Sequence, residues 1–244
     1  MTDVAITPRR EKGEPILAKL GILCINPGDA VLGCQLAKQL GGQRHKLFNS
    51  NLYQVPATSQ AGPFFTAGPA VGAPMAVLTL EKLVALGAKR IIVYGWCGSL
   101  TESLAVGDAL LPNRAVSEEG TSAHYPLSSR AEASQLLLQP LAARLQAENI
   151  KMKIGTVWTT DAPYRETKDK IRMHGSQSVQ GVEMEFAALN TVAAFRGVEL
   201  AAVLLVSDEL WRQPWQPGYT HKKFKKKSRL IVELLFDFCR TFPS

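Results

Sequence analysis

Three acidic residues stand out by their neighbours. In Gly181-Val-Glu-Met-Glu-Phe-Ala-Ala188, the carboxylates Glu183 and Glu185 flank Met184 at the mouth of an apolar helix, and Asp208 follows Ser207 at the end of a buried apolar run. Acidic groups at such a mouth serve as helix caps or accept hydrogen bonds from other groups, paired hydroxyls among them. By position alone, Asp208 is a cap or a solvated charge before it is a catalyst. Cys97, next to Trp96 in the glycine-flanked stretch Gly95-Trp-Cys-Gly-Ser99, has no Cys/His motif to activate it and reads as a buried packing thiol. Cys24, Cys34, Cys97 and Cys239 form no CxxC pair and have no ligand spacing with His45, His124, His174 or His221, so neither a metal site nor a disulfide framework is expected.

The elements that must position these groups follow from alternating apolar runs and helical patterns, the signature of a largely parallel sheet covered on both faces. Leu20 to Ile25 predicts a first strand, stopped by Asn26, Pro27, Gly28 and Asp29 before a helix carrying Leu32, Leu36 and Leu40. Phe64 to Ala67 predicts another, ended by the stretch from Gly68 to Pro74. Met75 to Leu86 has helical spacing and closes at Gly87. Ile91 to Tyr94 predicts a strand terminated by a turn from Gly95 to Ser99; Ile154 to Thr159 and Ala201 to Val206 repeat the design, with a helix expected over Glu183 to Phe195. Loops at the ends of three such strands could converge on one sheet edge, where open α/β folds bind ligands. Trp211 to Tyr219, with two tryptophans, two prolines and a tyrosine, reads either as a lid or as a connection pinned by its aromatics.

At 244 residues, 46% hydrophobic and 20% charged, the chain fits one globular domain over 1–244, with residues 1–18 as an extended arm and 211–229 as the aromatic loop and basic stretch. The net charge of +7 is local. Lys222, Lys223, Lys225, Lys226, Lys227 and Arg229 account for it, and without them 22 basic residues face 21 acidic ones. No basic face spread over the domain is expected, so nucleic acid is not the expected partner, and the lysine stretch reads as a solvated helix start. Arg9, Arg10 and Lys12 before Pro15 lack the apolar core of a secretory signal, and no run approaches 18 apolar residues; the cytoplasm is the expected compartment, with no membrane partner.

The stretch Gly181 to Ala188, with Val206-Ser-Asp208 after it and Gly95-Trp-Cys-Gly-Ser-Leu100 before it, resembles the nucleoside phosphorylase superfamily: purine nucleoside phosphorylases of the hexameric type, uridine phosphorylases and methylthioadenosine nucleosidases. Pro27-Gly28-Asp29, Gly68-Pro-Ala-Val-Gly-Ala-Pro74 and Ile154-Gly-Thr-Val-Trp-Thr-Thr-Asp161 fall in the family's order. The resemblance implies a three-layer α/β/α domain with a mixed, partly barrel-like sheet, assembling as a homo-oligomer, dimer or hexamer. It implies cleavage of a bond between ribose carbon and base nitrogen through a cation-like transition state, with no cofactor. Carried over by position, Asp208 is the acid at a purine-type ring nitrogen. Glu185 accepts hydrogen bonds from the ribose hydroxyls, Met184 and Val71 face the sugar, and Glu183 supports the turn. Trp158, Thr160, Val182 and Ser207 form the base pocket. Pro163 stands where purine-cleaving relatives often carry a stacking aromatic, which leaves that contact to Tyr164 or Trp158.

The departure lies at the phosphate site, which in the family's phosphorylases uses a glycine, two arginines and a hydroxyl. Gly28 is retained, but Leu32 and Val93 match the arginines and Trp96 matches the hydroxyl residue. Each lost charge-assisted pair is worth about 1.5–3 kcal/mol. Three outcomes are open: water replaces phosphate, with Asp29 or another carboxylate as base; Arg44, Lys46, Arg165 or the lysine stretch supplies the charge and inorganic phosphate remains the co-substrate; or Trp96 fills the site of a protein that binds nucleosides without cleaving them. An aspartate after Ser207 favours a purine-like base over a uridine phosphorylase-like activity. His124 and Tyr125 could lie at a subunit contact or the site entrance.

Overall fold

The computed structural model describes residues 4–48 and 50–243. β1 (Leu20–Cys24) leads to α1 (Pro27–Gln39), followed by β2 (Gln43–Leu47), β3 (Ser50–Val55), β4 (Phe64–Gly68) and α2 (Ala73–Ala85). Then come β5 (Arg90–Ser99), β6 (Ala109–Glu118), α3 (Gln135–Ala147), β7 (Met152–Thr160), α4 (Lys168–Ser176), β8 (Val179–Glu183) and α5 (Phe186–Arg196). β9 (Glu199–Glu209), the two-residue β10 (Gln216–Pro217) and α6 (Lys222–Thr241) follow.

The strands form one sheet in the order β10-β9-β6-β7-β8-β5-β1-β4-β3-β2. β9 also pairs with β5, closing β5, β8, β7, β6 and β9 into a five-stranded barrel. The expected three-layer, mixed and partly barrel-like architecture is the fold found. Its cause is visible in β5 and β9. Ile91, Val93, Ala202 and Leu204 pack on one side with Leu80 and Leu83 of α2 and Leu189 and Val192 of α5. Ile92, Tyr94, Ala201 and Val203 pack on the other side with Leu138 and Leu141 of α3 and Ile231 and Leu235 of α6. Side chains alternate between two covered faces, so both parities are apolar and the run reads as continuous.

Several boundaries differ from the sequence-based expectation. The stretch Gly95 to Ser99 is no turn: β5 continues through it, paired in parallel with β9 along its whole length and shifted by a bulge between Cys97 and Gly98. α2 starts at Ala73 rather than after Pro74, because a proline in the first helical turn gives up no hydrogen bond the helix needs. The helix expected from Glu183 starts instead at Phe186, since Glu183 ends β8. The lysine stretch forms the first turns of α6, with its lysines largely exposed while Phe224 and Ser228 turn inward. Of the expected N-terminal arm, residues 1–3 lie outside the described residues; the rest has no helix or strand apart from its link to β1. It is tied to α2 by the Lys82–Glu14 ion pair at 2.6 Å and to Leu86 through the Leu17 N–H.

Candidate active site

The carboxylates at the β8–α5 junction are fixed by backbone groups. Glu183, at the end of β8, accepts from the N–H groups of Glu185 and Phe186, both at 2.7 Å, and from the Thr159 hydroxyl of β7. It caps two donors that the first turn of α5 leaves free. The Thr159 hydroxyl oxygen in turn accepts from Ala187 N–H at 3.0 Å. Glu185 sits at the N-terminal boundary of α5 and accepts from Gly72 N–H at 2.6 Å. Gly72 has φ +84°, a left-handed conformation that glycine adopts without strain, and this aims its N–H across to the partner. Burial raises the Glu185 carboxyl, reinforced by the negative charge of Glu183. Burial raises Glu183 as well, opposed by its three donors.

Asp208 is held from two directions. Ser207 places its hydroxyl 2.6 Å from Asp208 Oδ1, and Trp215 in the aromatic loop donates its indole N–H to Oδ2 at 2.9 Å. That loop is itself fastened to the barrel, because β10 pairs with Asp208 and Glu209 of β9 and Gly218 N–H donates to the Ser207 carbonyl.

A cavity of about 530 Å³ joins the two halves, a size suited to a small organic ligand. Val71, Met184, Glu183 and Glu185 line it together with Val182, Ser207, Asp208 and Trp96. The structure thus brings eight of the expected residues together. It does not bring Gly28, Asp29, Trp158 or Thr160 to the cavity surface. Trp158 is fully buried behind it, stacked on His174 at 4.4 Å. Thr160 is buried too. Asp29 is enclosed between α1 and α6, accepting the Ser228 hydroxyl at 2.5 Å, which in turn accepts from Tyr94. Burial raises its carboxyl, offset by Ser228 and Trp96. Of the two aromatics left to stack on a base, it is Tyr164 that reaches the cavity, beside Pro163.

Sequence reasoning missed Glu166, Lys168, Asn26 and Gly98, which also line the cavity. Glu166 ends the one-turn 3-10 helix Pro163–Arg165, and burial with the charge of Asp208 beside it pushes its carboxyl up to about 7. The only signal was its place shortly after Asp161, next to Pro163 and Tyr164. Gly98 lies opposite Asp208 in the β5–β9 register, and a Cβ there would meet Leu210 at 2.5 Å and Asp208 Oδ2 at 3.2 Å. Cys97 is buried, and burial raises its thiol well out of the reactive range. His124 is exposed in a short 3-10 turn packed on α5, where Tyr125 meets Phe195 edge-on, away from the cavity. Among the described residues, no group of three or more His, Cys, Asp or Glu is placed to hold a metal ion, and no helix is long and apolar enough to cross a membrane.

A profile of the phosphorylase superfamily matches residues 19–242. The purine nucleoside phosphorylase DeoD-type of Clostridium novyi (strain NT) is 28% identical over 162 residues, 65% of this chain and 70% of that one. Its counterpart in Bacillus thuringiensis (strain Al Hakam) is 31% identical over 147 residues, 59% and 63%. The chain thus spans roughly two thirds of the length of the curated relatives it matches. Among solved structures, purine nucleoside phosphorylase from Toxoplasma gondii in complex with immucillin-H superposes with a TM-score of 0.80 at 22% identity, covering 92% of this chain and 91% of that one. Uridine phosphorylase from Vibrio fischeri ES114, complexed with 6-hydroxy-1-naphthoic acid, gives 0.78 at 21% identity, covering 89% of each. At such identities the likeness is one of fold. With the profile running from β1 to the end of α6, the chain belongs to the phosphorylase superfamily.

Proposed function

We propose that the protein cleaves the N-glycosidic bond of a purine-like nucleoside and passes the sugar to water. The observation that carries this reading is that Glu185 and Asp208 open onto the same cavity, one beside Val71 and Met184, the other beside Ser207 and Val182. Cleavage builds positive charge on the ribose and drains electrons into the base, so catalysis needs a hold on the sugar and a carboxyl group at the departing ring. Two ribose hydroxyls donating to Glu185 return the polar partners that burial has removed from it, which favours a diol there. Asp208 faces the base, and Tyr164 and Pro163 cover its plane.

Water as acceptor is supported by the charges around the cavity. Glu166, Glu183, Glu185 and Asp208 line it, and Lys168 is the one basic side chain in the wall among the described residues. Val93 is buried in the core, and Leu32 packs against the cluster on the other face, so neither position offers a cation. Trp96 stacks edge-on against Phe224 at 4.9 Å and borders the cavity where a hydroxyl would help hold phosphate. An anion entering this enclosure meets acidic groups and no compensating guanidinium in the wall among the described residues.

Trp96 also supports a second reading, binding without turnover. Incubating the protein with adenosine, inosine, guanosine, methylthioadenosine and uridine, with and without phosphate, separates the cases. Release of purine base at equal rates in both buffers is the expected result. Release only with phosphate refutes hydrolysis, and binding with no release from any nucleoside refutes catalysis.

A further inference from the structure

Independently of the cavity's chemistry, we infer that the outward face of the first two turns of α6 is a docking surface for single-stranded nucleic acid. Its lysines hold the phosphates, and the exposed aromatics of the preceding loop stack on the bases.

Lys222, Lys223, Lys225, Lys226, Lys227 and Arg229 all fall in this short stretch of helix. At about 100° per residue they spread over about 200° of its circumference and roughly 10 Å of its axis. Phe224, Ser228, Ile231 and Val232 take the remaining arc and are buried. The six cations therefore share one solvent-facing surface. Arg229 pairs with Glu233 at 2.9 Å, and the five lysines have no carboxylate partner among the described residues. Lys222 and Lys226, Lys223 and Lys227, and Lys225 and Arg229 stand one turn apart, so like charges repel along the helix. The first turn carries no acidic residue to offset them. Elsewhere 22 basic residues nearly balance 21 acidic ones, which confines the attraction for a polyanion to this face.

Two neighbouring features identify the polyanion. A helix that lies in a membrane surface needs a free apolar face, and the apolar residues of α6, Phe224, Ile231, Val232 and Leu235, are already packed in the core. Aromatic rings, by contrast, lie beside the cations. Tyr219, shortly before Lys222, is stacked near Trp96 with centroids 6.5 Å apart, and Phe224 of the first helical turn meets the same Trp96 edge-on at 4.9 Å. Trp96 thus ties the loop to the start of α6 and sets the Tyr219 ring next to the lysine face. Tyr219 is 38% exposed and Trp215 of the same loop 50%. A cationic track beside open aromatic rings suits an unpaired strand, because every base offers a π-face and every nucleotide a phosphate. A duplex keeps its bases stacked inside and engages the charges alone.

The test follows the fluorescence anisotropy of a labelled oligothymidylate of about 15 nucleotides titrated with the protein from about 50 to 300 mM salt. The expected dissociation constant is about 1–100 µM at physiological salt, and the logarithm of affinity should fall against the logarithm of salt with a slope of about −3, roughly 0.7 for each of four phosphates. Lys225→Ala, Lys226→Ala and Lys227→Ala combined should weaken binding at least about tenfold and flatten the slope by about 2, with Tm and base release from adenosine unchanged. Tyr219→Leu should weaken binding by about fivefold or more and leave the slope as it is. Parallel titrations use a duplex of matched length, phosphatidylserine-containing vesicles and polyglutamate. Tighter binding of any of these than of the strand, affinity indifferent to salt, or binding that survives the triple substitution overturns the proposal. So does an unchanged anisotropy up to about 200 µM protein at about 50 mM salt. Strand binding by a protein that releases no base upholds this surface and refutes only the reading of the cavity.

Discussion

The indole N–H of Trp215 reaches Asp208 Oδ2 at 2.9 Å, so the aromatic loop after β9 is fastened to an acidic residue of the cavity wall. Trp215 is half exposed and Tyr219 farther along the loop is stacked near Trp96, with ring centroids 6.5 Å apart. The loop is thus pinned to the barrel, the second of the two readings its sequence allowed, and Trp215 and Tyr219 form part of the cavity wall. Replacing Trp215 with phenylalanine keeps the apolar cover and removes the donor. Hydrogen bonds to charged groups are worth about 1.5–3 kcal/mol. Trp215→Phe should lower kcat for base release by about tenfold or more with Tm nearly unchanged, as steady-state kinetics and thermal melts would record.

Gly98 forms part of the cavity wall because nothing larger fits against Leu210 and Asp208. Gly98→Ala is expected to push Leu210 aside and displace the Asp208 carboxylate. Overpacking of this kind costs about 1–3 kcal/mol. Denaturant melts should show that loss, and kcat should fall with it.

Stability should depend on pH through the raised carboxyls. Glu185 moves from an ordinary 4.5 to about 8 in the folded protein, so the fold binds its proton more tightly than the unfolded chain does. The stability this contributes is complete below the unfolded value and is lost as pH climbs through the folded one. Tm is expected to fall between about pH 5 and 8, by a few degrees, and Glu185→Gln should flatten that slope. Differential scanning calorimetry across the range checks both.

The layered fold was legible because the central strands are apolar on both faces, as Ile91 to Tyr94 and Ala201 to Val206 are. The barrel was harder to read. Gly95 and Gly98 carry turn chemistry in sequence, yet in space they belong to a strand whose partner, β9, is over a hundred residues away. The start of α5 was misplaced for a local reason: Glu183 uses its side chain to satisfy N–H groups of the first turn while its backbone remains in β8. Trp158 shows that strand parity alone does not decide between wall and core. It pairs in register with Val182, but its ring turns toward His174 of α4 instead of the cavity. Glu166 carried no periodicity and no motif, because a loop residue comes to line the cavity only when the fold brings it to the end of β9 near Asp208. Of the residues carried over by resemblance, Glu183 and Glu185 are the ones that backbone N–H groups hold at the cavity.

The central claim is that Asp208 and Glu185 act on one substrate in one cavity, and its most direct test is the rate of base release by Asp208→Asn. The substitution is nearly isosteric and keeps a hydrogen-bonding side chain beside Ser207. Turnover should fall by about a hundredfold or more while Tm and nucleoside binding persist. A rate equal to that of the unmodified protein would remove Asp208 from the mechanism and contradict the proposed site.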